Sequence, residues 1–247
     1  MQDVIRLVHP FPSTEKQEKL YKDIASDNLG SAKTWETLIS GQGSTKENWE
    51  KAVGIMPIMA TIRNLRNLLD KEVSDDKLYE VANKLVDEKI IRNSKQFPFR
   101  FFSAYKSIED HSNHNSGKLL TALNTAIEIS IKNLPRFDGI TAAFADNSGS
   151  MDSQISAKSE VRAHEIANVF AAIISKLSQN NIIGTFADYF KVINFAAQDS
   201  VLSTAQRIRQ IDVGSSTHGY LSIRYLNDKN IKVDRIFTLS DEEMYDS

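Results

Sequence analysis

The sequence contains no cysteine, so disulfide bonds, thiolate nucleophiles and cysteine-based zinc sites are excluded. It also lacks an apolar run long enough to cross a bilayer, and its first residues lack the apolar core of a signal peptide. The absence of cysteine agrees with a reducing compartment. We therefore expect a cytoplasmic protein with no membrane partner.

A strong excess of one charge is missing as well. The 30 basic and 32 acidic residues leave a net charge of −2, which argues against a protein that is coated in nucleic acid. The length of 247 residues is sufficient for two domains of ordinary size.

The first half of the chain has the pattern of short helices. Pro10 and Pro12 break any helix there, so residues 1–12 are predicted to be extended. From Pro57, apolar residues repeat at helical spacing as far as Leu69, which predicts one helix. Short helices joined by capped turns, without a strand pattern, predict stacked helical hairpins.

The second half alternates strands and helices after a hinge at residues 135–138. Such alternation predicts a mainly parallel sheet covered on both faces. The predicted strands are 139–145, 182–187, 190–195 and 234–240, and the predicted helices are 160–178, 201–211 and 217–227.

Oxygen-bearing side chains follow the strands of this half. The strand 139–145 ends on Asp146, Ser148 and Ser150, and Thr217 lies on a later loop. The strand 234–240 is followed by Asp241. Carboxylate and hydroxyl oxygens are the ligands that Mg²⁺ prefers, so these five residues are the candidate ligands of a divalent metal. The alternative for Asp-x-Ser-x-Ser is a helix N-cap.

Cations and aromatic rings alternate in one segment of the helical half. No acid occurs from Ile91 to Ile108, and cations can neutralise phosphates while rings stack on unpaired bases. Two further arginines lie three residues apart, on one face of the predicted helix after Pro57. The candidate RNA-binding residues are Arg63, Arg66, Arg92, Lys95, Arg100 and Lys106. The alternatives are core packing for the rings and a solvated face for the cations.

The metal set and several segments resemble known families. The order Asp146, Ser148, Ser150, Thr217 and Asp241 resembles the metal-ion-dependent adhesion site of von Willebrand factor A domains. Four segments of the helical half resemble, in order, the TROVE module of the Ro autoantigen family. They are residues 3–10, 56–67, 97–106 and 119–126.

The resemblance implies an α plus α/β fold. Residues 1–137 would be a partial TROVE-like RNA-binding module of HEAT-like stacked hairpins. Residues 138–247 would be a Rossmann-like von Willebrand factor A domain, incomplete at its C-terminus. Because the chain is shorter than the family pattern at both ends, we expect a fragment or a trimmed relative that is completed by another chain.

The resemblance also implies a function. Ro proteins bind single-stranded ends of structured or misfolded RNA, and small noncoding Y RNAs, without catalysis. A divalent ion, Mg²⁺ by its oxygen ligands, would hold the A-type loops and could accept a carboxylate from a protein partner. The alternative is a protein-interaction module whose metal binds an acidic ligand without RNA. A metal-dependent hydrolase is less favoured, because the sequence offers no candidate base with a partner and no phosphate-binding loop.

Overall fold

The computed structural model of the protein describes residues 2–26, 34–157, 159–196 and 198–242. The chain divides into two compact units, residues 1–56 and 57–247. The predicted domain boundary at 137/138 stays a prediction, and the last residues of the predicted second domain, 243–247, lie outside the described residues. Among the described helices, none is long and apolar enough to cross a membrane.

The first unit contains two helix pairs. Its helices are α1 (Gln2–Val8), α2 (Glu15–Ala25), α3 (Trp35–Gln42) and α4 (Lys46–Ile55). Helix α1 packs on α2, and α3 packs on α4. The prediction that residues 1–12 are extended was wrong for residues 2–8, because Pro10 disfavours a helical residue before it but leaves the preceding turns free to form.

The second unit begins with six helices, of which α10 is the longest. They are α5 (Ile58–Arg63), α6 (Leu65–Asp70), α7 (Asp75–Val86), α8 (Glu88–Ser94), α9 (Pro98–Ile108) and α10 (Ser116–Ile131). Helix α10 packs against α7, α8 and α9. Its residues Leu119, Leu123, Ala126 and Ile127 are fully buried at helical spacing. These contacts confirm the stacked helices that the apolar pattern predicts.

The single helix predicted after Pro57 is two helices, which meet at Asn64. The Asn64 side chain donates to the carbonyl oxygen of Ala60 at 2.9 Å. It also accepts from the Asn67 side chain at 2.9 Å. Asparagine side chains of this kind compete with the backbone for helical hydrogen bonds, so α5 stops and α6 starts again.

The rest of the second unit is a four-stranded mixed sheet with helices. Its elements are β1 (Phe137–Asp146), α11 (Ala163–Leu177), β2 (Ser178–Phe186), β3 (Phe190–Ile193), α12 (Val201–Arg209), α13 (Tyr220–Asp228) and β4 (Arg235–Leu239). The strand order is β3-β2-β1-β4. Strand β1 runs parallel to both β2 and β4, and β3 is antiparallel to β2. The predicted α plus α/β fold is therefore confirmed.

Alternate residues of β1 face opposite sides of the sheet. Ala143 and Ala145 join a buried cluster with Ala167 and Ala171 of α11. Phe144 lies in a second cluster, with Leu226 of α13. Both faces are thus covered, as the continuous apolar run in β1 predicts.

Candidate functional site

Asp146 lies at the carboxyl end of β1 and is fully buried. Its Oδ1 accepts from the backbone N–H of Ser148 at 2.9 Å. Its Oδ2 accepts from the hydroxyl of Ser240 at 2.7 Å. None of the ion pairs in the described ranges includes Asp146. A buried carboxylate is costly unless hydrogen bonds or a cation compensate its charge, so Asp146 is a candidate ligand for a metal ion.

Two hydroxyls follow this carboxylate in the turn. The Oγ atoms of Ser148 and Ser150 lie 3.3 Å apart, and Ser148 is fully buried. A short 3₁₀ turn, Ser150–Asp152, follows them, and α11 begins only at Ala163. The alternative that Asp-x-Ser-x-Ser caps the following α-helix was therefore wrong.

The loop that carries Thr217 reaches the same turn. The backbone N–H of Gly149 donates to the carbonyl oxygen of Ser215 at 2.8 Å. Thr217, two residues further on, is 3% exposed. The loop before α13 therefore meets the turn after β1 at the carboxyl end of the sheet.

The end of β4 brings the last predicted region to the site. The hydroxyl of Ser240 contacts Asp146, and Asp241 follows it at an exposed position. The structure thus brings together all three regions that the sequence singles out. Sequence reasoning missed Ser240, although its hydroxyl stands directly before the predicted Asp241.

Sequence reasoning also missed Asn147, whose side chain stabilises the turn after β1. It is buried and exchanges two hydrogen bonds with the side chain of Asn168, at 3.0 and 3.3 Å. Its amide also donates to the hydroxyl of Thr185 at 2.7 Å. The polar Asn147 in a buried turn was the available signal, because a buried amide needs partners.

The oxygen atoms at this end of the sheet fit a hard divalent ion by their chemistry. The described residues include no group of three or more His, Cys, Asp or Glu side chains that could hold a metal. A metal here would therefore depend on the hydroxyls of Ser148, Ser150 and Thr217 as well as on Asp146.

A groove on the helical side brings together two of the candidate RNA-binding residues. Arg63 of α5 and Arg100 of α9 both line it, beside Met59 and Ser103, and its volume is about 390 Å³. Both arginines are exposed, and neither takes part in an ion pair within the described part of the chain. Two cations without acidic partners at one groove are a candidate binding surface for an anion.

The other exposed candidates have different surroundings. Arg66 pairs with Glu160 at 2.6 Å, and Arg92 lies 3.7 Å from Glu88. Lys95 ends α8 in the left-handed conformation, with φ of 54°. The prediction that Arg63 and Arg66 share one helix face was wrong, because Asn64 separates their helices.

Lys106 is a structural cation. It pairs with Glu109 and, at 2.8 Å, with Glu165 of α11, and its side chain is only 18% exposed. Burial opposes its charge, but the hydrogen bonds from Lys106 to Glu109 and Glu165 outweigh burial and raise the pKa of Lys106. The segment 91–108 has no acid of its own until Glu109 follows, and Glu165 arrives from a distant helix. Lys106 is therefore less available to RNA than its sequence context indicates.

Two of the five rings of the segment belong to the core, and a third packs against another ring. Phe101 and Phe102 are buried, and the Phe99 ring stacks on Phe170 with centroids 6.2 Å apart. Phe97 is 49% exposed. The packing alternative thus holds for Phe101 and Phe102, whereas Phe97 presents a face to solvent.

The two candidate sites lie in a protein whose helical array continues into an α/β sheet, and this combination defines its class. The TROVE domain model matches residues 26–172, more than half of the chain. The chain therefore belongs to the TROVE domain family.

Individual relatives agree with this assignment. Telomerase protein component 1 of Mus musculus is 41% identical over 78 residues, which are 31% of this chain and 3% of that protein. The Rattus norvegicus protein is 40% identical over 78 residues, with the same coverage. The chain thus spans a small part of these curated relatives.

A solved structure shares the fold over the whole chain. The crystal structure of the Deinococcus radiodurans RO (RSR) protein superposes with a TM-score of 0.73 at 15% identity. It covers 100% of this chain, which spans 58% of that chain. At this identity the likeness establishes the fold alone.

Proposed function

We propose that this protein is a noncatalytic RNA-binding protein of the Ro type. The observation that carries the proposal is the groove at which Arg63 and Arg100 stand exposed, without acidic partners in the described residues. Guanidinium groups contact phosphates in a bidentate manner and also stack on bases. Membership in a family of noncatalytic RNA-binding proteins supports the same function.

The RNA that suits this groove is unpaired. Two arginines at the groove, and the exposed ring of Phe97 next in sequence to Gln96 of the groove lining, would suit the phosphates and bases of a flexible strand, whereas a regular duplex hides its bases. The groove therefore favours unpaired RNA. We propose the two ligand classes that the family resemblance implies, which are single-stranded ends of structured or misfolded RNA and small noncoding RNAs of the Y type. Arg66, Arg92 and Lys95 are exposed and would supply further contacts, since exposed ion pairs are weak.

The metal site is a second part of the proposal. Asp146, Ser148, Ser150, Thr217 and Asp241 would hold Mg²⁺, which would compensate the buried charge of Asp146. The ion would thereby bind three loops together. The five residues would fix the position of the ion, which would have a structural and not a catalytic role.

The experiment for RNA compares two labelled hairpins, one with a single-stranded 3′ tail and one blunt. Anisotropy would be measured with wild type and with the Arg63→Ala/Arg100→Ala variant across a salt series. Each lost phosphate contact should lower the slope of log affinity against log salt by about 1. A matched control is Arg224→Ala/Lys232→Ala, which removes the same charge from exposed positions of the α/β part.

The expected result is tight binding of the tailed hairpin only, weakened by the Arg63/Arg100 change and not by the control. Equal affinity for the blunt hairpin would contradict recognition of an unpaired end. An equal loss of RNA affinity in both double variants would indicate a general effect of positive charge and would contradict specific binding at the groove.

A protein ligand at the metal is the alternative function. Asp241 lies on the exposed side of the site, so a carboxylate of a partner could approach an ion there. In that case Asp146→Ala would abolish capture of an acidic partner, and the Arg63/Arg100 variant would keep it.

A further inference from the structure

The turn between β2 and β3 clamps the loop that carries Thr217. The backbone N–H of Tyr189 donates to the carbonyl oxygen of Val213 at 3.0 Å. The backbone N–H of His218 donates to the carbonyl oxygen of Ala187, also at 3.0 Å. Ala187 and Tyr189, the two neighbours of Asp188, are therefore hydrogen-bonded to the two ends of the loop, His218 and Val213.

Asp188 fills the middle of this clamp. Its Oδ2 accepts from the backbone N–H of Ser215 at 2.9 Å, and its Oδ1 accepts from that of Ser216 at 3.2 Å. Hydrogen bonds from the Ser216 side chain and from the Ser215 backbone hold the pKa of Asp188 below its usual range. Both carboxylate oxygens of Asp188 thus accept hydrogen bonds from the backbone of the loop.

Gly214 permits this close approach. Its φ is +88°, and a Cβ at this position would lie 1.9 Å from Oδ2 of Asp188. Any other residue would therefore displace the carboxylate from the loop and strain the backbone. The fit of Gly214 to Asp188 is evidence that the contact defines the loop conformation.

The far side of the same loop touches the candidate metal turn. The carbonyl oxygen of Ser215 accepts from the backbone N–H of Gly149, between Ser148 and Ser150. Ser215 therefore has its N–H on Asp188 and its C=O on the turn after β1. A shift of the loop would move Thr217 relative to Asp146.

We propose that Asp188 is a positioning residue, which holds Thr217 at the distance from Asp146 that a divalent ion requires. The inference rests on the proposed metal site and deepens it. Asp188 does not bind the ion itself. It acts through the backbone of Ser215 and Ser216, and its partners are amides that would otherwise bind water.

The test measures Mn²⁺ affinity by electron paramagnetic resonance on the full chain. Asp188→Ala removes both acceptors, whereas Asp188→Asn keeps one acceptor oxygen. Asp228→Ala is the matched control. Asp228 lies on the same surface patch, and its substitution removes the same charge but none of the described hydrogen bonds to the loop. Loss of a residue that orients ligands typically weakens metal binding by about 10- to 100-fold.

We expect that weakening in Asp188→Ala, partial recovery in Asp188→Asn and wild-type affinity in Asp228→Ala. Amide hydrogen exchange without metal should quicken at Ser215 and Ser216 in Asp188→Ala, with β1 amides unchanged. If wild type binds Mn²⁺ and Asp188→Ala binds it equally well, only the positioning role is overturned. If wild type itself binds no Mn²⁺, the metal site and the positioning role are both overturned.

Discussion

The hydroxyl of Ser240 donates to Oδ2 of Asp146 at 2.7 Å, across 94 positions of the chain. The contact joins the ends of two neighbouring parallel strands, β1 and β4. The backbone N–H of Ser148 occupies Oδ1 of the same carboxylate. The buried charge of Asp146 is thus held by two hydrogen bonds, one local and one from a distant strand.

Ser240→Ala should lower the stability of the metal-free protein. It leaves Oδ2 of a fully buried carboxylate without its donor. The expected loss in the free energy of unfolding is about 1–3 kcal/mol, measured by urea denaturation with a chelator present. Thr238→Ala, at an exposed position of β4, should change it by less than about 0.5 kcal/mol. Equal stability of both variants would contradict the role of this hydrogen bond.

Asp146→Asn should abolish stabilisation by Mg²⁺. An ion that binds only the folded state raises its stability by about 2.7 kcal/mol at a hundred times its dissociation constant. Thermal unfolding with and without Mg²⁺ measures the effect. Asp138→Asn, near the opposite end of β1, is the control and should keep the Mg²⁺-dependent shift. A shift that persists in Asp146→Asn would refute Asp146 as a ligand.

Lys106→Met should destabilise the protein without weakening RNA binding. The change leaves Glu165 and Glu109 without the cation that they share. Because these side chains are largely buried, the expected cost is about 1–3 kcal/mol in the free energy of unfolding. Lys132→Met, whose pair with Glu88 is half exposed, should cost less than about 0.5 kcal/mol. If Lys106→Met weakens RNA binding as much as Arg100→Met, Lys106 belongs to the interface after all.

His164 should make stability fall in acid. Burial, and then the nearby charge of Arg209, lower the pKa of His164 below 6.5. Within the described ranges its Nδ1 has no hydrogen-bond partner, and its Nε2 lies 3.4 Å from Asp152. The unfolded chain therefore takes up a proton near pH 6.5 that the folded chain resists, so stability is lost as the pH falls below 6.5.

The measurement is the free energy of unfolding between neutral and mildly acidic pH. The loss from one such group is at most about 1.4 kcal/mol per pH unit. His164→Gln should flatten the decline. An unchanged decline in His164→Gln would assign it to other groups.

Local sequence patterns were sufficient to predict the helices and strands that bury an apolar face. The four strands and the helices of the α/β part form at the predicted positions, because apolar alternation and turn residues act within a few residues of each other. Where a side chain competes with the backbone, pattern alone was not sufficient. Asn64 interrupts a helix whose apolar spacing continues without a break.

The surroundings of the charged residues were the least predictable feature. Arg100 and Lys106 stand in one acid-free segment, and only one of them is free of acidic partners in the described structure. Glu165 of α11 and Glu109 at the end of α9 account for the difference. Such a pairing depends on the packing of helices that are remote in sequence.

The sequence by itself determined the alternation of strands, the helical half and the order of oxygen-bearing residues at the strand ends, because these follow from periodicity within each segment. Only the tertiary structure decided that Ser240 and the Asp188 clamp serve the Asp146 turn, and that Arg63 shares a groove with Arg100. The physical reason is that parallel strands bring their carboxyl ends to one edge, whereas hydrogen bonds and ion pairs across that edge depend on how the remote elements pack.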